Sequence, residues 1–299
     1  MNDLHPPAPA PRPFETHPHA SLSHPAERAM KRLILCADDF AVNEAASLGI
    51  ARLARAGRIS ATSAMVLSPR WAQDAALLQA LRGQIDVGLH LDWTSGFARA
   101  AGHGVSLTGA MLKAVLGGFD QAAARAVIDR QLDAFEAVWQ APPDHIDGHQ
   151  HVQQFAGIRN ALVAAVQQRY AAKTAAYFRL STGVAADKSL KTRIIAGLGA
   201  AALAKLADHA GIACAPALSG IYDFSGGAPR YAGLMAQWLH GAPEGCIIMC
   251  HPAARAEAGD EIGAARASEY AYLDSDAFLP AIRQAGVTLC RGAQLHCPA

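Results

Sequence analysis

The chain has 299 residues, of which 52% are hydrophobic and 17% are charged, and its formal net charge is +1. This composition predicts a globular body and excludes a chain that is disordered throughout. The balance of charges argues against nucleic acid or an anionic membrane surface as the main partner. No stretch reaches the roughly 18 unbroken apolar residues that a membrane helix needs, so no membrane span is expected.

Residues 1–29 are rich in proline, include four histidines and lack both hydrophobic periodicity and the apolar core of a signal peptide. They predict a disordered leader, followed by a single β/α-barrel domain over residues 30–299. The six cysteines form no CxxC pair, and most stand in apolar surroundings. This pattern favours reduced thiols and a cytoplasmic protein.

The first predicted strand covers residues 33–40 and ends at two adjacent carboxylates, Asp38 and Asp39. A run of apolar residues too short for a helix is typical of a strand buried on both faces. Neighbouring side chains on an extended backbone point apart, so one acid could bind a metal while the other faces substrate or water. Taken alone, such a pair more often forms a turn and caps the next helix.

Strands and helices are predicted to alternate through the rest of the chain. Further strands are predicted over residues 60–67, 85–91, 177–180, 245–250 and 287–290. Helices are predicted over residues 43–56, 72–81, 121–140, 156–170, 190–210 and 274–284. The stretch 92–118 has six glycines and is predicted to be a long functional loop. This alternation predicts an α/β fold with a parallel sheet wrapped by helices, most simply a closed or incomplete barrel.

Ligand-type side chains occur at the ends of several predicted strands: Asp38 and Asp39, then His90, then the run HIDGHQH over 145–151. The carboxyl ends of strands in a parallel β/α array lie on one face, so these groups should converge. Two imidazoles and a carboxylate with open positions are typical of a divalent metal that activates water. By ligand softness they suit zinc, cobalt or nickel better than magnesium.

Each histidine also has a purely structural interpretation. His90, in an apolar strand, is by itself more often a hydrogen-bonded core residue than a ligand. The run 145–151 contains three histidines and an aspartate. Burying so many polar groups together costs free energy, which favours a shared function for them. Within it, Gly148 is predicted to permit a bend that turns His149 inward, Asp147 to orient a histidine, and His151 to face substrate or solvent.

Further polar and aromatic residues complete the predicted site. His251 follows a strand and precedes Pro252, so it either donates a proton to a leaving group or caps the next turn. Arg179 is predicted to be a substrate-binding residue. It could also orient Asp38 through a bidentate pair or form an exposed ion pair. Trp93 and Tyr222, the latter in the loop 222–227, are candidates for packing against a sugar, although either could belong to the core.

Four motifs in order, ADDF (37–40) with Asn43, GLHL (88–91), HIDGHQH (145–151) and MCHP (249–252), resemble the YdjC-like carbohydrate deacetylases, the ChbG/HpnK group. The resemblance runs over nearly the whole chain from Met30 and implies a distorted, TIM-barrel-like (β/α) barrel. Ala41 and Asp92 stand where the family usually has glycine and asparagine, and neither is a proposed ligand.

The resemblance further implies that one divalent metal ion, commonly magnesium in this family, is held by Asp39, His90 and His149. Asp38 then matches the general base of the related polysaccharide deacetylases, and His251 a candidate general acid. The implied reaction removes an N-acetyl group from an acetylated amino sugar, as an oligosaccharide or glycolipid, and releases acetate. A metal-dependent hydrolase of a phosphoester or cyclic amide, a catalytically silent sugar-binding protein, and a homodimer remain open.

Overall fold

The computed structural model describes residues 30–170, 176–185, 187 and 189–296. The predicted leader over 1–29 therefore lies outside the described residues, as does Cys297. The other five cysteines are free thiols and are buried or half-buried. Among the described residues, no helix combines the length and the apolar character needed to cross a membrane.

The described strands all belong to one sheet in which every pairing is parallel. In chain order they are β1 (Lys31–Phe40), β2 (Ala61–Ala64), β3 (Asp86–Leu91), β4 (His145–Gly148), β5 (Tyr177–Arg179), β6 (Cys214–Ala215), β7 (Leu218–Ser219), β8 (Ile247–Cys250) and β9 (Val287–Leu289). Their spatial order is β6-β5-β4-β3-β2-β1-β8-β7, and β9 pairs with the start of β1.

Helices cover the outside of this sheet. They are α1 (Glu44–Arg55), α2 (Trp71–Asp74), α3 (Gly96–Ala100), α4 (Leu107–Val115), α5 (Gln121–Trp139), α6 (Ile158–Tyr170), α7 (Leu190–Gly197), α8 (Ala200–His209), α9 (Gly227–Gly241), α10 (Gly263–Leu273), α11 (Phe278–Gln284) and α12 (Gly292–His296). Short 3₁₀ helices span Ala75–Leu81 and His149–Gln154.

The sheet closes on itself through the closure segment, residues 214–219. Its first part, β6, pairs with β5, and its last part, β7, pairs with β8. Between them lies Pro216, which has no backbone N–H to offer a neighbouring strand. The predicted α/β fold is thereby confirmed as a nearly closed, TIM-like barrel.

The alternation of side chains along β1 separates two packed layers. Leu33, Leu35 and Ala37 pack outward in the main core between sheet and helices. Ile34 and Cys36 point into the barrel, with Met249 among their neighbours in that second layer. Because one face of β1 packs in the main core and the other inside the barrel, its apolar residues are buried on both faces, as the sequence predicted.

Of the predicted segments, two differ most from the structure. The stretch 92–118 is not a simple loop, because it contains α3 and α4, whose N-termini are capped by the hydroxyls of Ser95 and Ser106. The single helix predicted over 190–210 is two helices, α7 and α8. They are separated at Gly199, which has a φ of 132° that residues with a Cβ rarely adopt.

Candidate active site

Asp38 and Asp39 both reach one cavity at the carboxyl end of the barrel strands, although they are neighbours in sequence. Asp38 continues the inward face of Ile34 and Cys36. Asp39 would follow the outward face, but its φ of 64° departs from the extended conformation. Left-handed backbone is costly for a residue other than glycine and often marks functional sites. This turn at Asp39 explains how both acids come to line the same cavity.

Asp39, His90 and His149 form a cluster whose ligand atoms all lie within 4.8 Å of one another. Oδ1 of Asp39 is 3.1 Å from Nδ1 of His149 and 3.4 Å from Nε2 of His90. Two atoms that each bind one ion at ~2.1 Å with tetrahedral or octahedral angles are about 3–3.4 Å apart. The three residues could therefore hold a divalent metal ion, and we call them the cation triad.

Charged neighbours fix the two buried members of the cation triad. Nη2 of Arg266 donates to Oδ2 of Asp39 at 2.7 Å, which leaves Oδ1 directed at the histidines. Burial alone would raise the pKa of Asp39, but the Arg266 guanidinium and the two histidines hold it well below its usual range. Asp39 is therefore an ionised carboxylate, the form that a cation requires.

Asp147 holds the other side of His90. Its Oδ1 accepts from Nδ1 of His90 at 2.6 Å, while Oδ2 accepts from the Ser63 hydroxyl at 2.6 Å and lies 3.0 Å from Nη1 of Arg179. Burial alone would lower the pKa of His90, but the Asp147 carboxylate outweighs it and raises the pKa to about 10. A bound cation would replace the proton on Nε2. The predicted orienting role of Asp147 is consistent with this geometry.

Arg179 grips Asp38 through two parallel hydrogen bonds. Nη1 donates to Oδ1 at 2.7 Å and Nη2 to Oδ2 at 2.9 Å, and the side chain of Arg179 is 1% exposed. The bidentate pair predicted from sequence is therefore present, and the exposed alternative is wrong. Both terminal nitrogens are engaged with carboxylates, which fits a residue that orients Asp38. Arg179 also lines the cavity, and its assignment to substrate binding stays a prediction.

His251 lies at the end of β8, with Nε2 3.9 Å from Oδ2 of Asp38. Its ring meets the edge of Phe224, with 5.3 Å between ring centroids. Burial lowers the pKa of His251 to about 4, so the resting imidazole is neutral near pH 7. A proton that moves between the attacking water and a leaving group therefore has two acceptors side by side in Asp38 and His251.

The backbone conformation at Gly148, Gln150 and His151 positions the remaining residues of the run 145–151. Gly148 has an extended φ of −158°, and the left-handed residues are Gln150 and His151 instead. A Cβ on Gly148 would lie 2.8 Å from Oε1 of Gln153, so close approach, not the predicted bend, is the reason for glycine. His145 lies inside the barrel, where its Nε2 is 3.0 Å from the Ser63 hydroxyl. His151 lines the cavity with its Nδ1 3.0 Å from the Ser181 hydroxyl.

The sequence of the chain matches a known protein family. A family model described as YdjC-like protein matches residues 32–284. The chain belongs to the YdjC-like family. It is 29% identical over 282 residues to a chitooligosaccharide deacetylase of Yersinia pestis (strain Pestoides F), across 89% of this chain and 99% of that protein. It is 31% identical over 134 residues to a chitooligosaccharide deacetylase of Enterobacter sp. (strain 638), across 43% of this chain and 52% of that protein.

The fold of this YdjC-like protein also has a solved counterpart. A crystal structure of a putative cellobiose-phosphate cleavage protein from Enterococcus faecalis V583 superimposes with a TM-score of 0.65. The two chains are 20% identical, and the match covers 89% of this chain and 99% of the other. At this identity the likeness supports the barrel and carries no information on substrate.

The two aromatic residues predicted to contact substrate are placed differently in this YdjC-like protein. Tyr222 lines the cavity, and its hydroxyl donates to Oε1 of Glu269 at 2.7 Å. Trp93 is 2% exposed and packs against His103 and Phe119. It is absent from the described residues that line the cavity, so the structure does not bring it to the site.

Two functional residues were missed in the sequence, and both lie on α10. Arg266 holds Asp39, as described above. Glu269 is fully buried and accepts from the backbone N–H of His251 at 2.5 Å as well as from Tyr222. It thus links the candidate acid to the loop 222–227. The sequence of residues 263–273 has the pattern of a helix, but no helix was predicted there, so these two residues were not considered.

Burial raises the pKa of Glu269 to about 7, from which a pH dependence of stability follows. Between pH 4.5 and 7 the unfolded chain ionises this group before the folded chain does, so stability falls as pH rises. For Glu269→Gln, whose amide can still accept from His251 and donate to Tyr222, this loss is absent. Without metal, the free energy of unfolding of the variant relative to that of the wild type should therefore rise by roughly 2 kcal/mol from pH 5 to pH 8.

Urea unfolding at the two pH values in the presence of chelator measures this difference. Glu261→Gln, which removes an exposed carboxylate close to α10, is the matched control. An equal response of both variants to pH would show that Glu269 is not the group concerned.

Proposed function

We propose that this member of the YdjC-like family is a metal-dependent hydrolase that removes the N-acetyl group from an acetylated amino sugar and releases acetate. The observation that carries the proposal is Asp38, held by Arg179 next to the cation triad and 3.9 Å from His251. A protein that only binds sugar or metal needs the triad but no second oriented carboxylate. The Yersinia relative, named for deacetylation of chitooligosaccharides, supports the same reaction.

One divalent cation would be held by Asp39, His90 and His149. When bound, it supplies Lewis-acid polarisation of the acetyl oxygen and lowers the pKa of water. The two imidazoles favour zinc or cobalt, whereas the family resemblance favours magnesium. Asp147 supports this assignment because it bonds the ring nitrogen of His90 that faces away from Asp39.

The proton steps are assigned to Asp38 and His251. Asp38, held by Arg179, accepts a proton from the water that attacks the acetyl carbonyl carbon. The carbon–nitrogen bond then breaks, and the departing amine takes a proton from His251. Since burial keeps His251 neutral at rest, the proton that it gives is one acquired during turnover, and Asp38 is the nearby source. The products are acetate and the free amino sugar.

The test is acetate release from N-acetylglucosamine oligomers by the full-length protein, before and after treatment with a chelator. We expect release that is lost with the chelator and restored by a divalent ion, with zinc, cobalt and magnesium compared at equal concentration. A phosphoester assayed in parallel should show no hydrolysis. Absence of acetate release with every ion, or hydrolysis of the phosphoester alone, would overturn the proposal.

We further propose a cytoplasmic location. The five described cysteines support it, because they are free thiols that are buried or half-buried in the barrel. Disulfides are rare in proteins kept in a reducing compartment.

A further inference from the structure

A group of polar side chains lies inside the barrel next to Asp147. Cys36, Ser63 and His145 stand on β1, β2 and β4, and each is at most 1% exposed. None of the three is among the described residues that line the cavity, so the proposed reaction gives them no role. Buried polar groups cost free energy unless they are hydrogen-bonded, and a group of them inside a barrel requires a physical reason.

The hydroxyl of Ser63 is the centre of this group. Its Oγ lies 2.6 Å from Oδ2 of Asp147 and 3.0 Å from Nε2 of His145. Sγ of Cys36 lies 3.4 Å from the same oxygen. A serine hydroxyl donates one hydrogen bond and accepts up to two. Because a carboxylate only accepts, Ser63 donates to Asp147, and its lone pairs accept from the other two side chains.

The protonation states of the neighbours agree with these directions. Burial alone would raise the pKa of Asp147, but Arg179 holds it below its usual range, so this group is a carboxylate. Burial raises the pKa of the Cys36 thiol well above its usual value, so Sγ keeps its proton. Nδ1 of His145 has no hydrogen-bond partner among the described residues. Since a buried N–H without an acceptor costs free energy, the ring proton belongs on Nε2, which faces Ser63.

The hydrogen bonds therefore run in one direction, from the barrel interior to His90. His145 donates to Ser63, and Ser63 donates to Oδ2 of Asp147. The other oxygen, Oδ1, accepts from Nδ1 of His90 at 2.6 Å. With both oxygens bonded, the carboxylate of Asp147 cannot rotate without losing a bond. The ring of His90 is thereby held with Nε2 directed at Oδ1 of Asp39, 3.4 Å away.

The start of this chain of hydrogen bonds is itself fixed by close packing. The ring of Tyr177 stacks on that of His145, with 5.3 Å between the centroids. A Cβ on Gly88 would lie 2.3 Å from Nε2 of His145. The first residue of the motif GLHL is therefore glycine because the imidazole of His145 lies against the backbone of β3.

We propose that Ser63 and His145 are positioning residues of the cation site, which fix Asp147 and through it the ligand His90. Neither residue touches the cation or the substrate, and their contribution is to the affinity for the cation. This inference rests on the cation triad of the proposed function, and it does not depend on which bond is hydrolysed.

The first test removes the hydroxyl of Ser63. Ser63→Ala should weaken zinc binding by about fivefold or more, and by less than the ~10–100-fold typical of a group that bonds a ligand directly. The loss is smaller because Nη1 of Arg179 still lies 3.0 Å from Oδ2 of Asp147. Calorimetric titration with zinc measures the affinity, and the absorption spectrum of bound cobalt, which should change, reports the arrangement of its ligands.

Ser60→Ala is the matched control, because it makes the same substitution at a buried serine three residues earlier. Oγ of Ser60 accepts from the backbone N–H of Leu35 at 3.1 Å and is not part of the chain of hydrogen bonds. This variant should lose stability but keep the wild-type affinity for zinc and the wild-type cobalt spectrum. Equal losses of affinity in Ser60→Ala and Ser63→Ala would refute the proposal, because the effect would then be a general one.

The second test asks whether His145 acts through Ser63. His145→Phe removes the donor and should also weaken zinc binding, whereas His145→Gln, whose amide can donate in place of Nε2, should keep the wild-type affinity. In Ser63→Ala/His145→Phe the loss should equal that of Ser63→Ala alone, because both residues act in one chain.

The possible outcomes separate this inference from the proposed function. Losses that multiply in the double variant, or wild-type affinity and spectrum in Ser63→Ala, would overturn the inference and leave the cation triad standing. Wild-type protein that binds neither zinc nor cobalt would instead contradict the proposed metal-dependent function.

Discussion

Replacing Asp38 with asparagine is expected to lower kcat by about 10²- to 10⁴-fold, because the amide no longer accepts the proton of the attacking water. The cation triad remains intact in Asp38→Asn, so affinity for zinc should change little. Acetate-release kinetics and calorimetric titration with zinc measure the two effects separately. A variant that retains wild-type kcat would show that Asp38 is not the proton acceptor.

A second buried ion pair provides the control for Asp38→Asn. Asp86 is fully buried at the amino end of β3, at the opposite end of the barrel, and its Oδ1 accepts from Nε of Arg291 at 2.8 Å. Asp86→Asn breaks a comparable acid–arginine pair, and both variants should lose stability. Only Asp38→Asn should lose kcat among the molecules that remain folded. Equal losses of kcat would mean that the effect is structural.

Replacing His149 with alanine is expected to abolish turnover and weaken binding of zinc or cobalt by more than about 100-fold. Loss of a residue that only orients a ligand typically costs 10–100-fold, and loss of a ligand costs more. The imidazole of His149 is half-buried and lies 3.1 Å from Asp39, so truncation leaves room for water and only a modest change in stability. Calorimetric titration and acetate release measure both effects.

His151→Ala is the matched control for the loss of metal binding. His151 lies two residues further along the same run and lines the same cavity, but its Nδ1 contacts the hydroxyl of Ser181. Its replacement should leave affinity for the cation unchanged. If His151→Ala weakened metal binding as much as His149→Ala, the triad of Asp39, His90 and His149 would be the wrong ligand set.

The parts of the site that lie at strand ends could be predicted from sequence. Asp38, Asp39, His90 and His251 follow short apolar runs, and the parallel barrel fixes which end of each strand they share. Their mutual approach follows from topology alone. Even the pairing of Arg179 with Asp38, across 141 positions, was within reach because both stand on predicted strands.

The parts that depend on helices packed against the strand ends could not be predicted. Arg266 and Glu269 lie on α10, and their partners Asp39 and His251 are fixed only by how that helix docks. No local pattern states which acid a distant arginine will meet. The left-handed backbone of Asp39 was also beyond prediction, because alternation along a strand gives no sign of where it stops.

The segment 214–219 is the joint at which the barrel closes. β6 and β7 each meet their neighbour over only two residues, so few hydrogen bonds resist separation there. Regions with few such bonds open locally at low free energy. This joint borders Arg179 on one side and continues directly into Tyr222 on the other. Local opening at this joint would displace Arg179, the partner of Asp38, together with the cavity wall at Tyr222, while the other strands stay paired.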